Sequence, residues 1–246
     1  VLIPHAIAVG DTEVRVFDPI VHKPLGEAHR ASHKIASGFD PRFVLCERPA
    51  VVTGGELTMD MLEVGYDPQA RQHHAPLQMK AANGVYVIDD LGRQRAATVD
   101  LFNRWIVPLE ARIDYLGLAS GKRFPVPFDV VLVFATNLDP QGLADDAFLR
   151  RIGHKIAFGA LSRDEYGAIW QGACGERGIA FDAKALQFAL GLHEREGVPL
   201  LACHPRDLLG MALDHAWYLG RTSVTPELIE RAWSNYFVVP GNAPGQ

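Results

Sequence analysis

At 246 residues the chain can form one large domain or two smaller ones. Its 48 % apolar and 22 % charged residues support a buried core and exclude a disordered, collagen-like or disulfide-stapled chain. Lys plus Arg number 24 against 29 Asp plus Glu, a formal charge of −5 that argues against holding nucleic acid by phosphate neutralisation. Cys46, Cys174 and Cys203 are widely spaced with no C-x-x-C, which suits buried thiols in a reducing cytoplasm better than a disulfide frame or a zinc site. No apolar run approaches the ~20 residues of a membrane span, and residues 1–10 lack the basic start and cleavage site of a signal peptide.

Along the chain, residues 1–9 and 14–17 flank Gly10-Asp11, a hairpin signal. Residues 43–46 and 50–53 are further extended candidates, broken by Pro49 and Gly54-Gly55. The stretch 18–78 reads as an insert in the core domain. It carries a hairpin over 62–77 around Asp67-Pro68 that includes Tyr66, Gln72, His73 and His74, which on residue pattern alone reads as a solvated surface hairpin. Residues 85–88 and 130–135 are continuous apolar runs, as a parallel sheet covered on both faces requires. Between them Thr98 is expected to cap a helix carrying Leu101, Phe102, Trp105 and Ile106 at helical spacing. Strand, helix, strand is α/β logic, with ligands at the carboxyl ends of the strands.

After about Gly159 the pattern changes. Ser162 and Glu165 form a capping box, Asp182 caps a second helix, Pro205 occupies a first helical position, and Thr225-Pro226-Glu227 opens a fourth helix. Four helices with short loops make a small all-α domain. The fold class is therefore an α/β core over 1–159, followed by a helical domain over 160–239 and a frayed tail over 240–246. There is no internal repeat.

Four local signals carry chemistry. In Gly84-Val85-Tyr86-Val87-Ile88-Asp89-Asp90 two carboxylates stand where a buried strand emerges; one can hold Mg²⁺ through water and the next can orient an attacking water. Asn137, after the run Val131-Leu132-Val133-Phe134-Ala135-Thr136, can orient a water beside a terminal phosphate, or make an Asx-turn with Asp139-Pro140. Arg150 and Arg151 follow Asp145-Asp146-Ala147-Phe148-Leu149. On a helix end they project about 100° apart, so one can face a neighbour while the other anchors locally. Arg206 lies in the first turn of the third helix, in His204-Pro205-Arg206-Asp207-Leu208. Each alone has a plain structural reading: an acidic loop, a turn, a solvated pair, a salt bridge.

In this order the four motifs, over about residues 85–238, resemble the AAA+ ATPases from Walker B to the end of the lid. Residues 85–90 are similar to Walker B, 134–137 to sensor 1, 146–152 to the arginine-finger segment and 204–208 to sensor 2. The segment 109–129, with 115–118 and 123–126 around Ser120-Gly121, resembles the pre-sensor 1 hairpin of enhancer-binding activators and MoxR-type proteins. Within the superfamily the chain most resembles bacterial proteins described as ATPases with chaperone activity. The resemblance implies ATP and Mg²⁺ as cofactors. Asp89 would bind Mg²⁺ through water, Asp90 would stand where the family usually has Glu, and Asn137 would position the lytic water. Arg150 and Arg151, on a helix before a strand at 155–158, would reach the γ-phosphate of the next subunit, and Arg206 would report nucleotide state from the lid.

A P-loop needs G-x-x-x-x-G-K-[ST]. The only Gly-Lys pair, Gly121-Lys122, is followed by Arg123 and falls in the hairpin. In the family the P-loop and its helix precede the strand that residues 1–9 would represent, so it is expected upstream of Val1. The ten histidines give no recognised ligand spacing: His29 and His33 are four apart, and His73-His74 are adjacent. Met59, Met61 and Met79 read as packing residues. The expected function is the carboxyl-terminal part of an ATP-hydrolysing motor that remodels a protein partner as a homo-oligomeric ring, a hexamer by resemblance. The alternatives are a non-catalytic AAA+-like scaffold or regulatory subunit and, disfavoured by charge, a DNA-associated initiator or helicase loader.

Overall fold

The apolar runs 50–53, 85–88 and 130–135 become neighbours in one parallel sheet. The computed structural model describes residues 1–26, 40–139, 142 and 146–237, so His29, His33, Asp145 and the tail 240–246 lie outside the described residues. The chain divides into two compact units, Val1–Lys155 and Ile156–Gln246.

In the first unit β5 (Ala50–Thr53), β8 (Val85–Ile88) and β11 (Val131–Phe134) form a parallel sheet in the order β11-β8-β5. Helix α2 (Thr98–Ala111) lies on one face and buries Leu101, Phe102 and Trp105 against Tyr86, Ile88 and Phe134. Tyr86 meets Trp105 edge-on at 6.1 Å between ring centroids. Phe148, from the single-turn α3 (Asp146–Leu149), lies 4.1 Å from Phe102. A buried aromatic of this kind contributes roughly 3–5 kcal/mol by truncation.

Coverage on both faces was expected from the apolar runs. Instead the face bearing Val52, Val131 and Val133 is exposed, 63 %, 61 % and 39 % respectively. Thr98 does not cap α2: the extended residue before the helix is Ala97, and Thr98 is already its first helical residue. The helix ends at Arg112, which is left-handed at φ 56°.

Residues 1–9 do not join this sheet. They supply β1 (Leu2–Pro4), paired with β4 (Phe43–Leu45), and β2 (Ala6–Val9), which turns at left-handed Gly10 into β3 (Thr12–Arg15). β3 then pairs parallel with β7 (Gln72–His74), which is the hairpin partner of β6 (Gly65–Asp67). The hairpin β9 (Ile113–Gly117) and β10 (Arg123–Pro127) shares a core of Ile3, Val14, Leu116 and Phe124 with these strands.

A buried ion pair joins this hairpin to α2. Arg104 donates to both carboxylate oxygens of Asp114 at 2.7 and 2.9 Å and to Glu63 at 2.9 Å, while the Gln78 amide, from α1 (Leu77–Lys80), donates to Asp114 at 3.0 Å.

The strand expected at 155–158 does not form. These residues pair with no strand among the described residues, and Ile156 and Phe158 are 76 % and 91 % exposed.

In the second unit α4 (Arg163–Glu176), α5 (Ala183–Glu196), α6 (His204–Tyr218) and α7 (Pro226–Tyr236) enclose Tyr166, Trp170, Leu190, Leu208, Ile229 and Trp233. The Ser162 capping box is complete, and Asp182 accepts the Lys184 N–H at 2.8 Å. Pro205 is the second helical residue of α6 rather than the first.

Two histidines are buried here with rings stacked at 5.2 Å, His193 and His204. The His193 Nδ1–H donates to the Val198 carbonyl at 3.0 Å, so its Nε2 accepts from the Tyr166 hydroxyl at 3.1 Å. Burial depresses both pKa values below 6.5, and for His204 the neighbouring His193 adds to the effect. A depressed histidine stabilises the fold fully above its unfolded pKa, and that contribution is lost as pH falls. Below about pH 6.5 the chain is expected to lose up to about 1.4 kcal/mol per pH unit per histidine. Urea titrations followed by Trp170 and Trp233 fluorescence check this; a midpoint unchanged between pH 7.5 and 5 would refute it.

Candidate functional site

The central strand β8 leaves the sheet at Ile88, and the next residues, Asp89 and Asp90, are exposed. The Asp89 N–H donates to the Thr53 carbonyl at 2.7 Å, prolonging the pairing with β5. Asp90 turns into the left-handed region at φ 50°, and its N–H donates to Asp89 Oδ1 at 2.9 Å. Such a backbone costs a non-glycine residue on the order of 1 kcal/mol or more. The Gln94 amide offsets that cost: it donates to the carbonyls of Asp89 and Asp90 at 2.8 and 3.0 Å and accepts the Gly92 N–H at 2.8 Å.

The end of β11 is tied to the same loop. The Leu91 N–H donates to the Ala135 carbonyl at 2.8 Å, and the Thr136 hydroxyl donates to the Leu91 carbonyl at 2.9 Å. Thr136 Oγ1 also accepts the Leu138 N–H at 3.0 Å, so Thr136 makes the turn that an Asx-turn at Asn137 would have made. The exposed Asn137 side chain makes no hydrogen bond among the described residues. Asp89, Asp90 and Asn137 thus stand at the carboxyl ends of adjacent parallel strands on laced loops, with one Asp89 oxygen engaged by backbone.

Sequence reading missed two residues here. Glu56 follows β5, accepts the Gly54 N–H at 3.0 Å, and is held below the usual carboxylate range by that amide. Its signal was available, because Gly54-Gly55-Glu56 repeats the pattern of an apolar run followed by an acid. Gln94 had no local signal, since its function is to close a loop.

Arg150 and Arg151 sit in different environments. Arg151 is half-buried and donates through Nη2 to Glu110 on α2 at 2.7 Å. Arg150 is exposed and makes no hydrogen bond or ion pair among the described residues. With Leu109 and Glu110 they line an open hollow of about 460 Å³. Arg206 belongs to the helical unit, is exposed in the first turn of α6, and its carbonyl accepts from Arg177 at 3.0 Å.

Gly121-Lys122 forms the tip of the β9–β10 hairpin. Gly121 is left-handed at φ 84°, and the Lys122 side chain lies against Gly10. Among the described residues there is no group of three His, Cys, Asp or Glu that could hold a metal ion. His73 instead packs on Tyr66 at 4.7 Å.

A family model described as a domain of unknown function, DUF8689, matches residues 162–235. No curated protein sequence matches the chain. Among solved structures it is similar to NtrX from Brucella abortus, with a TM-score of 0.54 and 16 % identity over 80 % of this chain and 46 % of that one. NtrX in complex with ADP gives 0.50 and 17 % identity over 73 % and 42 %. The Thermotoga maritima RuvB Holliday junction branch migration motor gives 0.48 and 16 % over 76 % and 52 %. The chain spans about half the length of the solved structures it matches. At these identities the likeness shows the fold alone: a parallel sheet packed against helices, with a helical region after it in the chain.

Proposed function

We propose that the chain is part of an AAA+ ATPase, with its hydrolytic edge at the carboxyl ends of β8 and β11. The observation that carries this reading is the pairing of two exposed carboxylates after the central strand with an unbonded Asn137 after its neighbour. The fold shared with NtrX, solved in one case with ADP, supports nucleotide as the ligand.

Asp89, with its second carboxylate oxygen not engaged by the loop, suits holding Mg²⁺ through water. The ion would supply neutralisation of phosphate charge. Asp90 would orient and deprotonate the attacking water, and Asn137 would fix that water's position. Arg150 would neutralise transition-state charge in a neighbouring subunit's site, with Arg151 anchoring the helix end on Glu110. Arg206 would respond to nucleotide from the lid. The phosphate cradle itself, G-x-x-x-x-G-K-[ST], is not in residues 1–246. We assign the complete protein to a homo-oligomeric ring, a hexamer, remodelling a protein partner in the cytoplasm. The hairpin of β9 and β10 supports the MoxR-like, chaperone-type group, and the −5 charge weighs against DNA. A non-catalytic scaffold is the second reading, favoured by an Asp at position 90 where a longer Glu would reach further.

In the complete protein, Asp90→Asn is expected to lower ATP hydrolysis by at least about 100-fold while changing ATP affinity by less than about threefold. A water-orienting group acts mainly in the transition state. Turnover and nucleotide binding measured on the same preparation check this; normal turnover removes Asp90 from the chemistry, and absent turnover in the unmodified protein favours the scaffold.

A further inference from the structure

The turn that follows β8 is tied down at almost every backbone group. The Leu91 side chain is buried, and its N–H and carbonyl are both held by the end of β11, through Ala135 and Thr136. The Arg93 N–H donates to the Asp90 carbonyl at 3.0 Å, and Gly92, left-handed at φ 102°, completes a turn over residues 90–93. Asp90 enters that turn through its own left-handed backbone, and the Gln94 side chain closes over the result. Gln94 is in turn delivered from the segment after β5. The Arg95 N–H donates to the Gly55 carbonyl at 3.1 Å and the Ala96 N–H to the Leu57 carbonyl at 3.0 Å.

The chemistry of an amide is what this position uses. Gln94 Nε2 donates to two successive carbonyls, those of Asp89 and Asp90, while Oε1 accepts the Gly92 N–H. A carboxylate of the same shape would turn an oxygen toward the two carbonyls, and an apolar side chain of the same length would release all three groups to water. The backbone at residue 90 also discriminates between the two acids. Short Asp, like Asn, enters the left-handed region several-fold more readily than longer side chains, Glu included. Position 90 therefore favours a carboxylate on a short stem, and Gln94 fixes the direction in which that stem leaves the strand.

We propose that Gln94 is a positioning residue for Asp90: its amide holds residue 90 left-handed, and that backbone selects Asp over Glu there. The assignment rests on the reading of Asp90 as the acid that orients the attacking water. It gives the shorter acid a physical reason, because the backbone rather than the length of the side chain sets where the carboxylate stands.

The test is steady-state ATP turnover by the complete protein carrying Gln94→Met, Gln94→Glu, Asp90→Glu, Asp90→Asn, or Gln94→Met with Asp90→Glu. Both Gln94 variants are expected to lower kcat by about 10- to 100-fold, as for a group displaced by about 1 Å, with KM within about threefold and the urea midpoint unchanged. Hydrogen exchange at the Gly92 amide should quicken in the same two variants, since its acceptor is lost or misplaced. Asp90→Glu is expected to lower kcat by about tenfold when Gln94 is present, and by less than about twofold in the Gln94→Met background, because the clamp that penalises Glu is then gone. Normal kcat in both Gln94 variants overturns the proposal. So does a kcat in Asp90→Glu equal to or above that of the unmodified protein, and so do additive effects in the double change. Normal turnover in Asp90→Asn removes the reading on which the assignment rests, which separates that failure from a failure of the Gln94 clamp alone.

Discussion

Arg150→Ala is expected to preserve folding and ATP binding in the complete protein while lowering assembly-dependent hydrolysis by on the order of 10³-fold. An arginine supplied in trans completes a site to which it does not otherwise belong, so its loss appears in turnover rather than in affinity. The environments of the two arginines are the reason Arg150 is the one proposed for this role. It is exposed beside the hollow and has no ion pair among the described residues, whereas Arg151 is held by Glu110. Arg151→Ala is expected to act mainly on stability, by up to about 1 kcal/mol, since its partner is largely solvated. Turnover unchanged in both variants would mean that neither arginine acts on nucleotide.

Asp114→Ala should destabilise the first unit by about 3–5 kcal/mol, the cost of leaving one partner of a buried ion pair uncompensated. Asp114 is 1 % exposed and accepts three hydrogen bonds, two from Arg104 and one from Gln78. Its removal leaves the Arg104 guanidinium with the partly exposed Glu63 and the Leu62 carbonyl. The double change Arg104→Met, Asp114→Leu is expected to recover part of the loss, because apolar side chains of similar volume need no charge compensation. Chemical unfolding midpoints decide the matter, and a loss below about 1 kcal/mol in Asp114→Ala would show that the pair is solvated in solution.

The contrast between legible and illegible features follows the range of the interactions behind them. The Ser162 capping box, the Asp182 cap and the Gly10 hairpin depend on residues within a few positions of one another, and the sequence displays them directly. Asp89 and Asp90 were legible because a four-residue apolar strand ending in acids marks the carboxyl edge of a sheet. The Arg104–Asp114–Gln78 group was not, because Gln78 lies 36 residues from Asp114 and only the fold unites them. The split between Arg150 and Arg151 was invisible for the same reason: Glu110 is 41 residues away from Arg151. Thr98 satisfied a cap pattern, yet the extended Ala97 sets the helix start one residue earlier than a Thr98 cap would. The apolar run 130–135 suggested a sheet covered on both faces, and only one face found a partner among the described residues. The run at 155–158 shows the same limit, since β-propensity alone makes no strand unless the fold pairs it with another.

The most direct measurement is ATP turnover in a mixture of two inactive variants of the complete protein, Asp89→Ala and Arg150→Ala. In the proposed ring, mixed assemblies would contain boundaries where an intact Arg150 faces an intact Asp89–Asp90 edge, so turnover should rise above the sum of the separate variants and peak near equal proportions. A mixture that stays at that sum across all proportions, or an Arg150→Ala protein that hydrolyses ATP at the normal rate by itself, would contradict a nucleotide site shared between neighbouring chains.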